Sequence, residues 1–317
     1  MGINDVVRRI QPSRRIEGIS AVLLPFDSDG KIDFPGFQEN VRRTLDAGLA
    51  PAVNMDTGYV NLLMPQQRSD VLKAAREVCE GKKFVAGVFA DAAEPDLPTC
   101  YTRLVAEVMA AGAMPILFQR AEFKEMSRDE LVGFHRRIAE GCPAFLCFEL
   151  GEMFASFGRI YDLPTVRELM RIPQIKGMKH SSLDREREWQ RLALRDEVRP
   201  DFKIYTGNDL AIDMVMYGSD YLLGLSAFAP EAFAARDRLW TRGDPRFFDL
   251  NDTLQYLGAF AFRPPVPAYK HSAAQFLQLR GKLASDAPHP KGQRRPDSDI
   301  EILARISEKL DALMVSL

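Results

Sequence analysis

Cysteine is scarce in this chain, and the pattern of its few copies excludes two classes of protein. Cys79, Cys100, Cys142 and Cys147 show no Cys-x-x-Cys pair and are too sparse for a disulfide framework. They suit a reducing compartment, and a cytoplasmic location is the expectation. Long apolar runs are also missing: none reaches the roughly 18 residues that a membrane-crossing helix needs. Charge of one sign is missing too, with 42 Lys and Arg against 44 Asp and Glu and a net charge of −2. That balance offers no footing for nucleic acid or an anionic membrane surface. The opening Met1-Gly2-Ile3-Asn4-Asp5-Val6 has neither the profile of a signal peptide nor the hydroxyl residue of a myristoylation site. No His/Cys/Asp cluster has metal-ligand spacing, and no Ser-His-Asp set can be defended, so neither a metal nor a cofactor is expected.

What is present is a regular beat of strands and helices. The composition, 46% hydrophobic and 27% charged, is that of a globular protein. A length of 317 residues suits two ordinary domains, or one large α/β barrel with an appendage. Ile19 to Phe26 is a continuous apolar run, as in a strand covered on both faces. Asp33 then predicts a helix cap, Phe34, Phe37, Val41 and Leu45 recur at helical spacing, and Gly48 ends the helix. Further strands are predicted at 50–55, 84–89, 114–118 and 144–148, one ending at Lys179, and others at 202–206 and 221–225. Helical patterns lie between most of them, including Ser127 to Glu130 as a capping box and a helix after Gly207-Asn208-Asp209. Eight such units without an interior linker predict a (β/α)₈ barrel over residues 1–240. A doubly wound sheet is the alternative, but its Gly-rich phosphate turn is missing. Residues 241–317 read as a helical extension, broken by a loop at Ser285 to Gly292 and closed by an amphipathic helix with Leu303, Ile306 and Leu310.

The stretch Ile175-Lys176-Gly177-Met178-Lys179-His180 stands out because an apolar strand ends on a lysine. Burying an ammonium costs several kcal/mol unless something compensates. A desolvated lysine has a depressed pKa and becomes a nucleophile able to form a Schiff base with a carbonyl compound. A strand-end lysine can also snorkel to solvent or pair with a carboxylate. In barrels of this type the chemistry lies at the carboxyl ends of the strands. That rule selects Asp56 and Thr57, Gln119 and Arg120, Cys147, Phe148 and Glu149, Lys179 and His180, Gly207, and Gly224 and Ser226. Thr57-Gly58 could hold a carboxylate through a hydroxyl and backbone N–H groups, or be a plain turn. Asp56 and Glu149 are each candidates for acid/base work or for a structural carboxylate. His180, next to the lysine on a strand, is expected to face the other way.

In order and spacing these residues resemble the dihydrodipicolinate synthase / N-acetylneuraminate lyase family of Schiff-base aldolases. The resemblance rests on Gly18 to Phe26 followed by Asp29-Gly30-Lys31-Ile32-Asp33, on Thr57-Gly58, on Gly177-Met178-Lys179 and on Gly207-Asn208-Asp209. Pro264 to Gly281, with Lys270, is similar to the family's entry into its C-terminal helix. The resemblance implies a 2-keto acid, usually pyruvate, bound as an imine on Lys179, with its carboxylate at Thr57-Gly58 and further contacts from Cys147, Phe148, Gly207 and Leu223. It also implies a homo-oligomer, dimer or tetramer. Two departures stand out. Met55-Asp56-Thr57-Gly58-Tyr59 replaces the family's Gly-Thr-Thr-Gly-Glu, and Cys147 or Phe148 stands where the family keeps a proton-relaying tyrosine on strand five. Arg159 is a distant match for the family's arginine.

The reading is a class I lyase or aldolase, with Asp56 or Glu149 taking the tyrosine's acid/base role. A dehydratase of a sugar-derived 2-keto acid would use the same imine to break a C–O bond. A non-catalytic barrel that binds a keto or sugar acid is the competing class.

Overall fold

The computed structural model describes residues 2–91 and 96–317. After a short helix α1 (Ile3–Val7), the chain lays down eight parallel strands that close on themselves in chain order. β1 (Gly18–Ala21) leads to α2 (Phe34–Asp46), β2 (Ala50–Val53) to α3 (Pro65–Cys79), and β3 (Val85–Val88) to α4 (Leu97–Ala110). β4 (Met114–Leu117) is followed by a single turn, α5 (Glu122–Glu125), and then by α6 (Arg128–Gly141). β5 (Phe145–Leu150) leads to α7 (Leu163–Met170), and β6 (Ile175–Ser181) to α8 (Arg185–Val198). β7 (Lys203–Thr206) is followed by a 3₁₀ turn at Ile212–Tyr217, and β8 (Asp220–Leu223) by α9 (Pro230–Arg242). Three further helices, α10 (Arg246–Ala261), α11 (Tyr269–Leu279) and α12 (Asp299–Val315), form the C-terminal part. The predicted barrel with a helical C-terminal part is what the structure contains.

Local chemistry explains where the helices start. Asp33, Ser127, Asp162 and Asp184 each accept a hydrogen bond from a backbone N–H of the first turn that has no partner inside the helix. Three sequence expectations need correction. The first strand ends at Ala21, not Phe26, because Pro25 has no N–H for the ladder and Phe26 instead bridges back to Ile32. The helix expected before Gly218 is a 3₁₀ turn, closed by Gly218 at φ 104°. β6 runs on to Ser181, so Lys179 lies inside the strand rather than at its last position.

The register determines which side chains face the barrel interior. Ile19, Val85, Leu146 and Tyr205 line a cavity of about 270 Å³ at the amino end of the barrel, with Glu17, Lys83 and Lys203. Strand alternation therefore turns Phe148 inward, two residues beyond Leu146. Lys179 pairs with Phe148 on one side and Tyr205 on the other, and so faces the same interior.

Two close approaches depend on glycine. A Cβ at Gly177 would lie 2.6 Å from the Lys203 carbonyl oxygen, and one at Gly87 would lie 2.0 Å from that of Asn54. Backbone cannot give way there as a flexible side chain would. Gly87→Ala is expected to destabilise the protein by about 1–3 kcal/mol through overpacking. Urea unfolding checks this, and a native midpoint would show that β2 and β3 separate more freely than this contact implies.

Candidate active site

Lys179 is only 6% exposed. Its Nζ lies 4.6 Å from the centre of the Phe148 ring, so the ammonium rests on an aromatic face. The aliphatic stem passes Gly207, where a Cβ would come within 2.8 Å of Lys179 Cε and 2.0 Å of Ser181 Oγ. Gly207 thus makes room for the lysine. Burial pushes the Lys179 amine down to about 8, against the opposing pull of the Asp209 and Asp56 carboxylates.

Asp209 follows β7, and its carboxylate accepts the Leu225 N–H at 2.8 Å. Burial pushes this acid up to about 7; the Leu225 N–H and the Lys179 charge oppose the rise, and Asp56 adds to it.

The loop after β2 is a 3₁₀ turn at Asp56–Gly58, buried against the C-terminal helices. The Asp56 carboxylate accepts from the Tyr269 hydroxyl at 2.9 Å and from Lys270 Nζ at 3.0 Å. Its charge is therefore matched by an ammonium. Thr57 Oγ1 lies 2.9 Å from the same Tyr269 hydroxyl. Gly58 N–H is engaged with the Met55 carbonyl at 3.0 Å, which narrows the loop's offer to an incoming carboxylate to Thr57. Tyr269 is held by stacking on Phe262, with ring centres 4.2 Å apart. Gly224 completes the fit: a Cβ there would sit 3.1 Å from Thr57 Oγ1 and 3.2 Å from the Tyr269 oxygen.

The structure separates the remaining sequence candidates from this group. Glu149 and Cys147 alternate with Phe148 and so face the helical layer. Glu149 is completely buried, accepting from Arg191 Nε and Nη2 at 2.8 Å each, from the Tyr161 N–H at 2.8 Å, and facing His180 Nδ1 at 3.0 Å. Although burial alone would raise this acid, the Arg191 and His180 interactions hold it down at about 2. A carboxylate so held does not exchange protons near neutrality, and the expectation that Glu149 does acid/base work is corrected to a structural tie between β5 and α8. Cys147 is buried on the same face and its thiol is raised by burial, which leaves it an apolar filler. Leu223 shares the outward face of Tyr221, whose hydroxyl meets Asp237 of α9, so it packs behind the barrel wall.

His180 also faces outward, as alternation predicts. Its Nε2 lies 2.6 Å from Ser182 Oγ, which gives Ser182, His180 and Glu149 the connectivity of a nucleophile–base–acid set. Ser182 Oγ is however engaged with the Asp184 N–H at 3.1 Å, and Arg191 neutralises Glu149. The row fixes the end of β6. Arg159 directs its guanidinium to the Phe123 and Met126 carbonyls at 2.6 and 2.7 Å, and Gln119 pairs with the Arg159 backbone. Arg120 is engaged with Glu122 and the Asp91 carbonyl. Two members of the inner group escaped the sequence reading as site residues, Tyr269 and Asp209. The Gly207-Asn208-Asp209 turn was a usable signal for Asp209, and the Pro264 to Gly281 segment with Lys270 was the one nearest to Tyr269. Among the described residues no group of three or more His, Cys, Asp or Glu side chains is arranged to hold a metal ion. No helix among them is long and apolar enough to cross a membrane.

Comparison with known proteins agrees with this architecture. The chain is 27% identical over 295 residues to the 4-hydroxy-tetrahydrodipicolinate synthase of Parasynechococcus marenigrum, a match covering 90% of this chain and 92% of that protein. It is 28% identical over 289 residues to a probable 5-dehydro-4-deoxyglucarate dehydratase 2 of Streptomyces coelicolor, covering 87% and 84%. Among solved structures, the dihydrodipicolinate synthase of Thermotoga maritima superposes with a TM-score of 0.78 at 16% identity, covering 94% of this chain and 99% of that one. The Acinetobacter baumannii enzyme, complexed with pyruvate, gives 0.77 at 17% identity over 94% and 99%. At such identities these two speak for the fold. Residues 15–244 match the model of the dihydrodipicolinate synthetase family, and the chain belongs to that family.

Proposed function

We propose that this protein is a lyase that binds a 2-keto acid as an imine on Lys179. The observation that carries the reading is the placement of that amine: inside the barrel, on an aromatic face, with burial bringing it down to about 8. A neutral amine attacks the keto carbon, water leaves from the carbinolamine, and the cationic imine then accepts the electrons of a neighbouring bond. Phe148 shields the nitrogen from water, and Gly207 keeps the path of the side chain open. The backbone N–H of Thr57 is the candidate for holding the substrate carboxylate, since its hydroxyl is engaged with Tyr269. Asp56 takes the acid/base role that Glu149 cannot fill. Pyruvate is the first substrate to test, since a structural neighbour from Acinetobacter baumannii was solved with it. The reading includes a homo-oligomer, dimer or tetramer, working in the cytoplasm.

A second reading shares the imine but breaks a C–O bond, making the protein a dehydratase of a sugar-derived keto acid. It is favoured by the absence of a strand-five phenol and by the similarity to the Streptomyces coelicolor protein over most of the chain.

Borohydride reduction in the presence of pyruvate is expected to give one adduct, on the peptide carrying Lys179, and none in Lys179→Met. The absence of an adduct with pyruvate and with longer 2-keto acids would shift the reading to a binding protein. Adduct formation should accelerate as pH rises through about 8, as the amine loses its proton, and level off above.

The same depressed pKa implies a stability effect of definite sign. Below pH 8 the folded chain carries the full cost of the buried ammonium. Between about 8 and the ordinary lysine value of 10.5 the unfolded chain holds a proton that the folded one has lost, so stability rises with pH across that window. Lys179→Met is therefore expected to be more stable than the native protein at pH 7, by roughly 1–3 kcal/mol, with the gap closing by pH 10.5. Denaturant titrations at several pH values check it. A variant less stable at pH 7 would mean that the ammonium is stabilised by its surroundings.

A further inference from the structure

The C-terminal helix α11 brings two consecutive polar residues, Tyr269 and Lys270, onto the loop after β2, although strand five has no phenol to offer. The hydrogen bonds there have a fixed direction. An ionised carboxylate only accepts, so the single phenolic proton of Tyr269 goes to Asp56 Oδ2, at 2.9 Å. The Tyr269 oxygen is then left to accept, and Thr57 Oγ1, 2.9 Å away, must donate to it. The row runs in one direction, from Thr57 through Tyr269 to Asp56, with Lys270 Nζ at 3.0 Å holding the far oxygen of the carboxylate. All four residues are buried.

We propose that Tyr269, supplied by the C-terminal part, is the proton-relay phenol of this enzyme and joins Thr57 to Asp56. This rests on the imine reading of Lys179. When the imine becomes an enamine, the substrate's C3 proton passes to Thr57 Oγ1. The threonine proton passes to Tyr269 Oη and the phenolic proton to Asp56 Oδ2. The C–H electron pair moves into the new C–C double bond, and the imine nitrogen becomes neutral. Charge does not accumulate on the phenol, because its proton is replaced as it leaves. Reversal of the same steps protonates the enamine. Tyr269 acts through Thr57 and is thus a positioning and relay residue; its ring is held by Phe262 independently of its hydroxyl.

The test compares two readouts with pyruvate as the probe: the amount of borohydride-trapped adduct at saturation, and exchange of the pyruvate methyl protons in deuterated water followed by NMR. Tyr269→Phe is expected to trap adduct to the native extent while exchange falls about 100-fold or more, the usual scale of a lost proton-transfer group. Asp56→Asn keeps an acceptor for the phenol but cannot take its proton, and should lose a similar factor. The double variant should be no slower than either single one, because the two act as a unit. Native exchange in Tyr269→Phe, or multiplied losses in the double variant, would overturn the relay and leave the Lys179 reading standing. Failure of the native protein to form any adduct would remove both. Should Tyr269→Phe fold poorly, Asp56→Asn decides alone, and native exchange in that variant rejects the relay.

Discussion

The ammonium of Lys179 is enclosed by apolar strand, an aromatic ring and two carboxylates that reach it only by charge. Most of the site can be understood as a response to that burial. Desolvation disfavours the cation, and Asp209 and Asp56 restore part of what is lost. A direct ion pair would have returned the lysine to its charged form. Here Nζ rests on the Phe148 ring, which attracts a cation far more weakly than a carboxylate does.

The second lysine illustrates the contrast. Lys270 is as buried as Lys179, yet it makes a direct 3.0 Å contact with Asp56. One lysine is paired and serves as a counter-ion; the other is kept apart from its carboxylates. Asp56, which would repel a substrate carboxylate if left bare, is neutralised by this pairing. The helices beyond the barrel therefore supply the electrostatics that make the unusual Asp56-Thr57-Gly58 loop workable.

Much of this was readable from the chain, because two strong signals coincide: a repeated alternation of apolar strands with helices, and a lysine in an apolar strand. Facing was not readable. Phe145 to Leu150 is buried at every position, so periodicity could not tell that Phe148 looks inward while Cys147 and Glu149 look out. The partner that decides Glu149, Arg191, lies on the next helix but one and gives no local pattern. Leu223 failed for the same reason of parity. Tyr269 was invisible as a site residue because its meaning depends on α11 docking against a loop from the far end of the chain. Asp56 was noticed as a misfit, and only the fold supplies Lys270 as its partner.

The most direct test is the titration of the Lys179 amine itself. Lysine labelled with ¹³C at Cε, with the signal assigned by its loss in Lys179→Met, would be followed by NMR from pH 6 to 11. A midpoint near 8 is expected, well below the ordinary lysine value of 10.5. A midpoint at the ordinary value would contradict the account, because it would mean that the lysine remains a solvated or paired cation and no nucleophile at neutral pH.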